Sequence, residues 1–227
     1  MARPTSPLIS RERAARAALG VIDVRGLDSL SLEAVARRLG VKAPSLYYHF
    51  SDKNALLAEV ARLLLLDTPV PPSNPDEDDH EWIVRIAVAA RRSILQHPNA
   101  APLLLQFFPR RLLLAAYERS LDRYGIPAEQ HMMAVEGLDH LTFGSALFAA
   151  ASRARGIEPM PEFDPEQFPK LALAVRRNPH DDEALFIETV RAFLRGLPKS
   201  SAQQEPPNRE TRKKRPDPQN QAGAKIE

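Results

Sequence analysis

Ser31-Leu-Glu-Ala-Val-Ala-Arg-Arg-Leu-Gly-Val-Lys-Ala-Pro-Ser-Leu-Tyr-Tyr-His-Phe50 is the stretch that decides the fold. Leu32, Val35, Ala36 and Leu39 recur at helical spacing, with Ser31 placed to cap the amino end and Leu30 to staple onto Val35. Gly40 stops that short helix. A second amphipathic piece follows, Ala43 to His49, with Pro44 in its first turn, where a missing N–H costs nothing. Helices of about eight residues are marginal in isolation, so the pair needs a packing partner. The layout of scaffold helix, glycine turn and second helix is that of a DNA-reading helix-turn-helix, whose second helix enters the major groove. Val41, Leu46 and Phe50 are expected to face the core, turning Lys42, Ala43, Ser45, Tyr47, Tyr48 and His49 outward. The hydroxyls of Tyr47, Tyr48 and Ser45 suit phosphates, Ala43 and Pro44 suit a thymine methyl, and Lys53 suits the backbone from the next helix. The bland alternative is that Tyr47, Tyr48 and His49 simply cover the end of a helical bundle.

Working outward, Ala14, Ala17, Ala18, Val21, Ile22 and Val24 predict a helix over Arg11 to Val24, stopped by Gly26. Ser51 is expected to cap a fourth helix carrying Leu56, Leu57, Val60, Ala61 and Leu64. The Pro- and acid-rich run after it reads as a linker. Further helices are expected at about 80–96, 101–123 with a break at Pro109, 127–153, 165–177 and 181–196. No strand alternation appears, so the fold class is all-α. The expected organisation is a DNA-binding unit with connecting helix at 1–66 and a linker at 67–79. A ligand-binding and dimerisation bundle at 80–197 and a disordered basic tail at 198–227 complete it.

Charge follows the same division. Residues 1–66 hold 10 Lys/Arg against 6 Asp/Glu, residues 67–197 hold 14 against 19, and residues 198–227 hold 7 against 4. A basic amino-terminal segment favours a polyanion, because neutralised phosphates release counterions. There is no cysteine, hence no disulfide and no thiolate metal site. Apolar runs such as Leu63 to Leu66 are far shorter than a membrane span, and Met1 to Ser10 lacks the apolar core of a secretory signal. A cytoplasmic protein without membrane partners is expected.

The quoted stretch, continuing through Ser51-Asp-Lys-Asn-Ala-Leu-Leu57 and back to Gly26-Leu-Asp, resembles the amino-terminal domain of the tetracycline-repressor (TetR) family. The resemblance covers about 50 residues. It implies an α-helical homodimer that binds a palindromic operator and is released by a small-molecule effector held in the larger bundle. On the family pattern, Ala43, Pro44, Ser45, Tyr47, Tyr48, His49 and Lys53 fall where bases or phosphates are contacted. With Ser31, Glu33 and Lys42 they make the expected DNA-facing set. Glu33 stands where a tetracycline-binding member has a base-reading arginine; an acid there accepts from a cytosine amino group, so the operator should differ.

The carboxy-terminal part shares a fainter resemblance in His97-Pro, in Phe107-Phe-Pro109-Arg and in Asp139-His-Leu-Thr-Phe-Gly144. The magnesium-coordinating histidine of tetracycline-binding members falls on Leu104, and a carboxylate that reaches the metal through water falls on Phe148. Neither residue can ligate a hard cation, so no magnesium chelate and no cofactor are expected. A largely apolar effector cavity is expected instead, from Leu104, Phe107, Phe108, Tyr117, Met133, His140, Phe143 and Phe148, although aromatics and methionines on helix faces are more often filled core than cavity lining.

Glu136, Asp139 and His140 share one helix face but lack a second histidine motif, so they read as a polar patch or an effector anchor rather than a catalytic site. His97 reads as a helix-end residue interacting with the dipole, and Trp82 as core. Ala134, Gly137, Leu141, Gly144, Ser145 and Phe148, with Phe186, Val190 and Phe193, are expected to form the face that meets a second subunit; intramolecular packing explains the small residues equally. The reading is a regulator, not an enzyme. The alternatives are a small-molecule-binding bundle or enzyme with a vestigial DNA-binding head, and an architectural DNA binder without effector.

Overall fold

A computed structural model describes residues 9–74, 76–158 and 160–198, and the expected basic tail lies outside them apart from Pro198. Among the described residues there are helices and connecting turns but no strand. In chain order the helices are α1 (Arg11–Arg25), α2 (Leu32–Leu39), α3 (Pro44–Tyr47), α4 (Lys53–Leu66) and α5 (Asp79–Leu95). After them come α6 (Leu103–Gln106), α7 (Arg110–Ser120), α8 (His131–Arg155), α9 (Pro169–Arg177) and α10 (Asp182–Arg195). No helix among these residues is long and apolar enough to cross a membrane.

The helix ends follow side-chain chemistry. The hydroxyls of Ser10 and Ser31 accept from the backbone N–H groups of Arg13 and Ala34, both at 3.1 Å. At α4 the cap is Asp52 rather than Ser51, its carboxylate accepting from Ala55 N–H at 2.8 Å. Both residues can cap, but Asp52 is the one with extended backbone (φ −159°), and a carboxylate also suits the positive end of the helix dipole. Gly40 closes α2 at φ +70°, with its own N–H and that of Val41 turned back onto Arg37 and Ala36 carbonyls. Gly40→Ala meets no steric neighbour but must adopt the left-handed conformation. It is therefore expected to cost about 1 kcal/mol, read as a lowered midpoint in denaturant.

Two apolar clusters hold the helices together. The first takes Ala14, Ala18 and Ile22 of α1, Leu32 and Val35 of α2, and Leu46 and Phe50 around α3, packed on Leu56, Val60 and Leu64 of α4. It does not stop at Leu66. Ile94 and Leu95 of α5, Leu103 and Leu104 of α6, and Ala146, Ala149 and Ala150 of α8 belong to it too, so a shift of these later helices is felt by the first four. The second cluster joins Trp82, Ile83, Ala87 and Val88 of α5 to Val135 of α8 and Phe186, Val190 and Leu194 of α10. Trp82 is core, as expected, with its indole N–H donating to Pro71 carbonyl at 3.3 Å, which lays the Pro-rich segment along α5.

Phe186, Val190 and Phe193 were expected on an intersubunit face, and the packing corrects this. Phe186 and Val190 are buried within the chain, and the Phe193 ring lies where a Cβ on Gly137 would sit, 2.5 Å from its Cζ. Gly137 therefore serves close approach of α10 to α8 inside one subunit. Arg91 of α5 is buried in the same region. It donates to Ser145 Oγ (2.9 Å) and Asp182 Oδ2 (2.7 Å), and lies 5.2 Å from the Phe186 ring centroid, tying α5, α8 and α10 together.

Candidate nucleic-acid interface and effector cavity

Around α3 the buried and exposed residues separate cleanly. Leu46 and Phe50 are 0% and 1% exposed, whereas Tyr47 and Tyr48 are 50% and 87% exposed. Hydrogen bonds Tyr48 N–H to Pro44 carbonyl (3.3 Å) and Phe50 N–H to Leu46 carbonyl (2.9 Å) carry helical geometry past the short regular core of α3. The apolar anchors fix the orientation, and the tyrosines stand off it. Lys42, Pro44 and Ser45 are exposed beside them, and Lys53 is half-buried at the start of α4. Ala43 departs from expectation in being half-buried and packed against the first cluster, since it begins the turn that seats Leu46. His49 is half-buried, its ring edge-on to Tyr48 at 5.3 Å and its carbonyl accepting from Arg11, which also stacks over Phe50 at 4.5 Å.

Glu33 sits at the first turn of α2, exposed, with the Tyr47 hydroxyl 3.5 Å from Oε1. Its own backbone N–H, and next the Ser31 hydroxyl, hold its carboxyl below the usual carboxylate range. It is thus an ionised acceptor beside the tyrosine pair. Ser31 itself is half-buried and its oxygen is engaged in capping α2. Arg37 and Arg38, exposed near the end of α2, lie on the same unit and were not singled out by spacing alone.

A cavity of about 100 Å³ lies between α5, α7 and α8, lined by Ile83, Ile86, Ala87, Leu113, Ala116, Tyr117, Tyr124, Val135, Leu138, Asp139, Thr142 and Phe143, among others. Of the residues expected to line a cavity, Tyr117 and Phe143 do so. Phe108 packs edge-on to Phe143 (4.8 Å between centroids) and, with His140, lines an adjoining cavity of about 270 Å³ that shares Asp139 and Phe143. Leu104 and Phe107 instead pack into the first cluster. Met133 and Phe148 are 51% and 81% exposed. The reason is helical phase: positions 135, 139, 142 and 146 of α8 turn inward, leaving 133 and 148 outside. Leu104, packed in the first cluster, and Phe148, on the surface, carry no side-chain nitrogen or oxygen. Among the described residues no group of three or more His, Cys, Asp or Glu is placed to hold a metal ion.

Two polar pairs stand where the two cavities meet, Asp139 lining both and Arg110 and Glu136 lining the adjoining one. The Tyr117 hydroxyl donates to Asp139 Oδ2 at 2.5 Å, and Arg110 bonds Glu136 Oε1 at 2.5 Å. Burial raises the Asp139 carboxyl above its ordinary value, with the Tyr117 hydrogen bond acting against the rise. Burial first, then Asp139, raises the Tyr117 phenol, and burial pushes Tyr124 up to about 12. The patch expected from Glu136, Asp139 and His140 is thus divided: Glu136 is paired outward, Asp139 faces inward and His140 is exposed.

His97 is also reassigned. Rather than only facing a helix end, its Nδ1 lies 2.9 Å from Asp23 Oδ2 of α1, and Asn99 Nδ2 donates to Asp23 carbonyl at 3.0 Å. This polar tie joins α1 to the segment between α5 and α6.

Comparison with known proteins gives a consistent set of relatives. The family model described as bacterial regulatory proteins, tetR family, matches residues 15–60. The chain is 26% identical over 198 residues to the tetracycline repressor protein class D of Escherichia coli, covering 83% of this chain and 89% of that protein. A TetR-family transcriptional regulator of known structure from Streptomyces coelicolor is 31% identical, with TM-score 0.57, over 65% of this chain and 89% of its own. A TetR variant from Acinetobacter baumannii, solved in complex with minocycline, is 25% identical with TM-score 0.64, covering 83% of this chain and 92% of that one. The curated relatives are named as transcriptional regulators and repressors, not as enzymes.

Proposed function

This chain belongs to the TetR family of bacterial transcriptional regulators, and from that premise we propose that it is a homodimeric repressor released from a palindromic operator by a small molecule. The observation that carries the reading is the exposed Tyr47 and Tyr48 pair on a helix whose other side is locked into the core by Leu46 and Phe50. The DNA-facing set in this proposal is Lys42, Pro44, Ser45, Tyr47, Tyr48, His49 and Lys53, with Ala43 supporting the turn and Glu33 and Ser31 at the start of α2. Two such heads related by a two-fold axis match half-sites about 34–36 Å apart. The effector occupies the cavity between α5, α7 and α8.

The proposed dimer surface is the outward side of α8 and α10, where Leu141, Gly144, Phe148, Leu185 and Thr189 line a shallow groove. Phe148 and Leu185 are 81% and 48% exposed there, a large apolar surface for an unpartnered subunit. Release follows from the shared first cluster and from the tie of Asp23 to His97 and Asn99. A ligand that favours one arrangement of α5, α7 and α8 also biases the packing of α6 on α4, and lowers DNA affinity by its preference for that arrangement.

Phe148→Glu tests the assembly without touching the core. Sedimentation equilibrium is expected to show a folded monomer where the native chain is a dimer, with operator affinity falling by at least about tenfold as the two half-sites uncouple. A Phe148→Glu chain that remains dimeric contradicts the assignment of this face.

A further inference from the structure

Asp139 is the one carboxylate lining the small apolar cavity, and the hydrogen bond it accepts there comes from a neutral group, the Tyr117 phenol at 2.5 Å. The nearby cation, Arg110, is bonded to a different acid, Glu136. One guanidinium therefore faces two carboxylates, and His140 beside them is exposed. Thr142 lines the same cavity, 4% exposed, and its hydroxyl has no hydrogen-bond partner. A buried hydroxyl without a partner is costly, and a half-buried carboxylate whose hydrogen bond comes from a phenol is left short of a charged donor. Apart from Ser120 the rest of the lining is apolar or aromatic, the Tyr117 and Phe143 rings included.

We propose that the ligand of this cavity is a small lipophilic amine, bound as its ammonium ion on Asp139 with an apolar body of about one ring among α5, α7 and α8. The proposal rests on the cavity being the effector site and names what that site selects. The volume sets the size: an enclosed space of about 150 Å³ accepts benzene, and the cavity of about 100 Å³ here is smaller, so one ring fits only by extending into the adjoining cavity of about 270 Å³ with which it shares Asp139 and Phe143. Charge sets the head group. An ammonium replaces a neutral donor on Asp139 with a charge-assisted one, leaves spare N–H donors for the Thr142 hydroxyl oxygen, and meets aromatic faces that attract cations. A carboxylate ligand meets Asp139 and Glu136 with like charge, and a hydrocarbon leaves both polar groups as they are.

The test is calorimetric titration of the full-length native chain with benzylamine and, separately, with benzyl alcohol, its neutral counterpart of similar shape. Benzylamine is expected to bind more tightly on the order of tenfold. Asp139→Asn keeps the shape and a hydrogen-bonding amide, so it should erase that preference while benzyl alcohol still binds. Tyr117→Phe removes the competing donor and should raise the benzylamine affinity. Equal or weaker binding of the amine, absence of binding by both, or a preference that survives Asp139→Asn overturns the proposal. A parallel titration with operator DNA separates the two claims. Amine that binds through Asp139 without releasing DNA keeps the ligand class and refutes the cavity as effector site. Release by benzyl alcohol but not by benzylamine does the reverse.

Discussion

Replacing Tyr47 and Tyr48 together with alanine is expected to lower operator affinity by at least about 100-fold while leaving the thermal midpoint unchanged. The side chains are 50% and 87% exposed, and α3 is held by Leu46 and Phe50 from the other side, so neither tyrosine contributes to the core. Loss of good contacts to base edges or phosphates costs about 1–3 kcal/mol per half-site, and a two-fold dimer loses them twice. Anisotropy titration of labelled operator at fixed salt reads the affinity, and circular dichroism melts read the fold. A double variant whose affinity stays within about threefold of native would remove α3 as the reading element. Glu33 adds a specificity test in the same assay, because it is held ionised beside Tyr47 and can only accept hydrogen bonds.

The second large effect is on stability. Arg91→Ala is expected to destabilise the chain by about 2–4 kcal/mol, since it removes a buried guanidinium bonded to Ser145 and Asp182 and leaves a void between three helices. For a chain of this size that is a fall of about 5–15 °C in apparent melting temperature. Its neighbour is the control. Arg92, 61% exposed at its side chain and paired with Glu183, should cost less than about 1 kcal/mol when changed to alanine, because water and entropy offset most of a surface ion pair. Equal effects from the two substitutions would show that burial is not what gives Arg91 its weight. Asp182 keeps about half its side-chain surface in water and retains Arg153 at 3.6 Å, which limits the penalty of losing Arg91.

Much of this architecture was legible from local chemistry. The periods of Leu32 to Leu39 and Leu56 to Leu64, the cap at Ser31, and the stop at Gly40 are decided within one or two turns of helix, where sequence neighbours are spatial neighbours. The assignment of Tyr47 and Tyr48 to the outside follows from the same phase, given Leu46 and Phe50 inside. What was not legible depends on distant partners. Phe186 and Val190 carry the spacing of a buried face, but spacing does not say whether the face meets another subunit or, as here, α5 and α8 of its own. Arg91 falls in helical phase with Ala87 and Ile94, yet its partners Ser145 and Asp182 are 54 and 91 residues away. The cavity shows the same limit. Met133 and Phe148 were expected to line it on aromatic and methionine content, whereas the inward phase of α8 is set by Val135, Asp139 and Thr142. His97 looked like a helix end because its partner, Asp23, lies 74 residues before it.

The central claim is that this head reads DNA sequence as half of a two-fold pair. The most direct measurement is to incubate the purified full-length protein with fragmented genomic DNA from its host at two salt concentrations and to sequence what it retains. The account predicts enrichment of a palindrome whose half-site centres are about one helical turn, or a multiple of it, apart. Its recovery should fall with salt by the slope of a few neutralised phosphates and vanish for the Tyr47 and Tyr48 double alanine variant. Uniform retention of unrelated fragments, or retention of a palindrome that the double variant binds equally well, would contradict it.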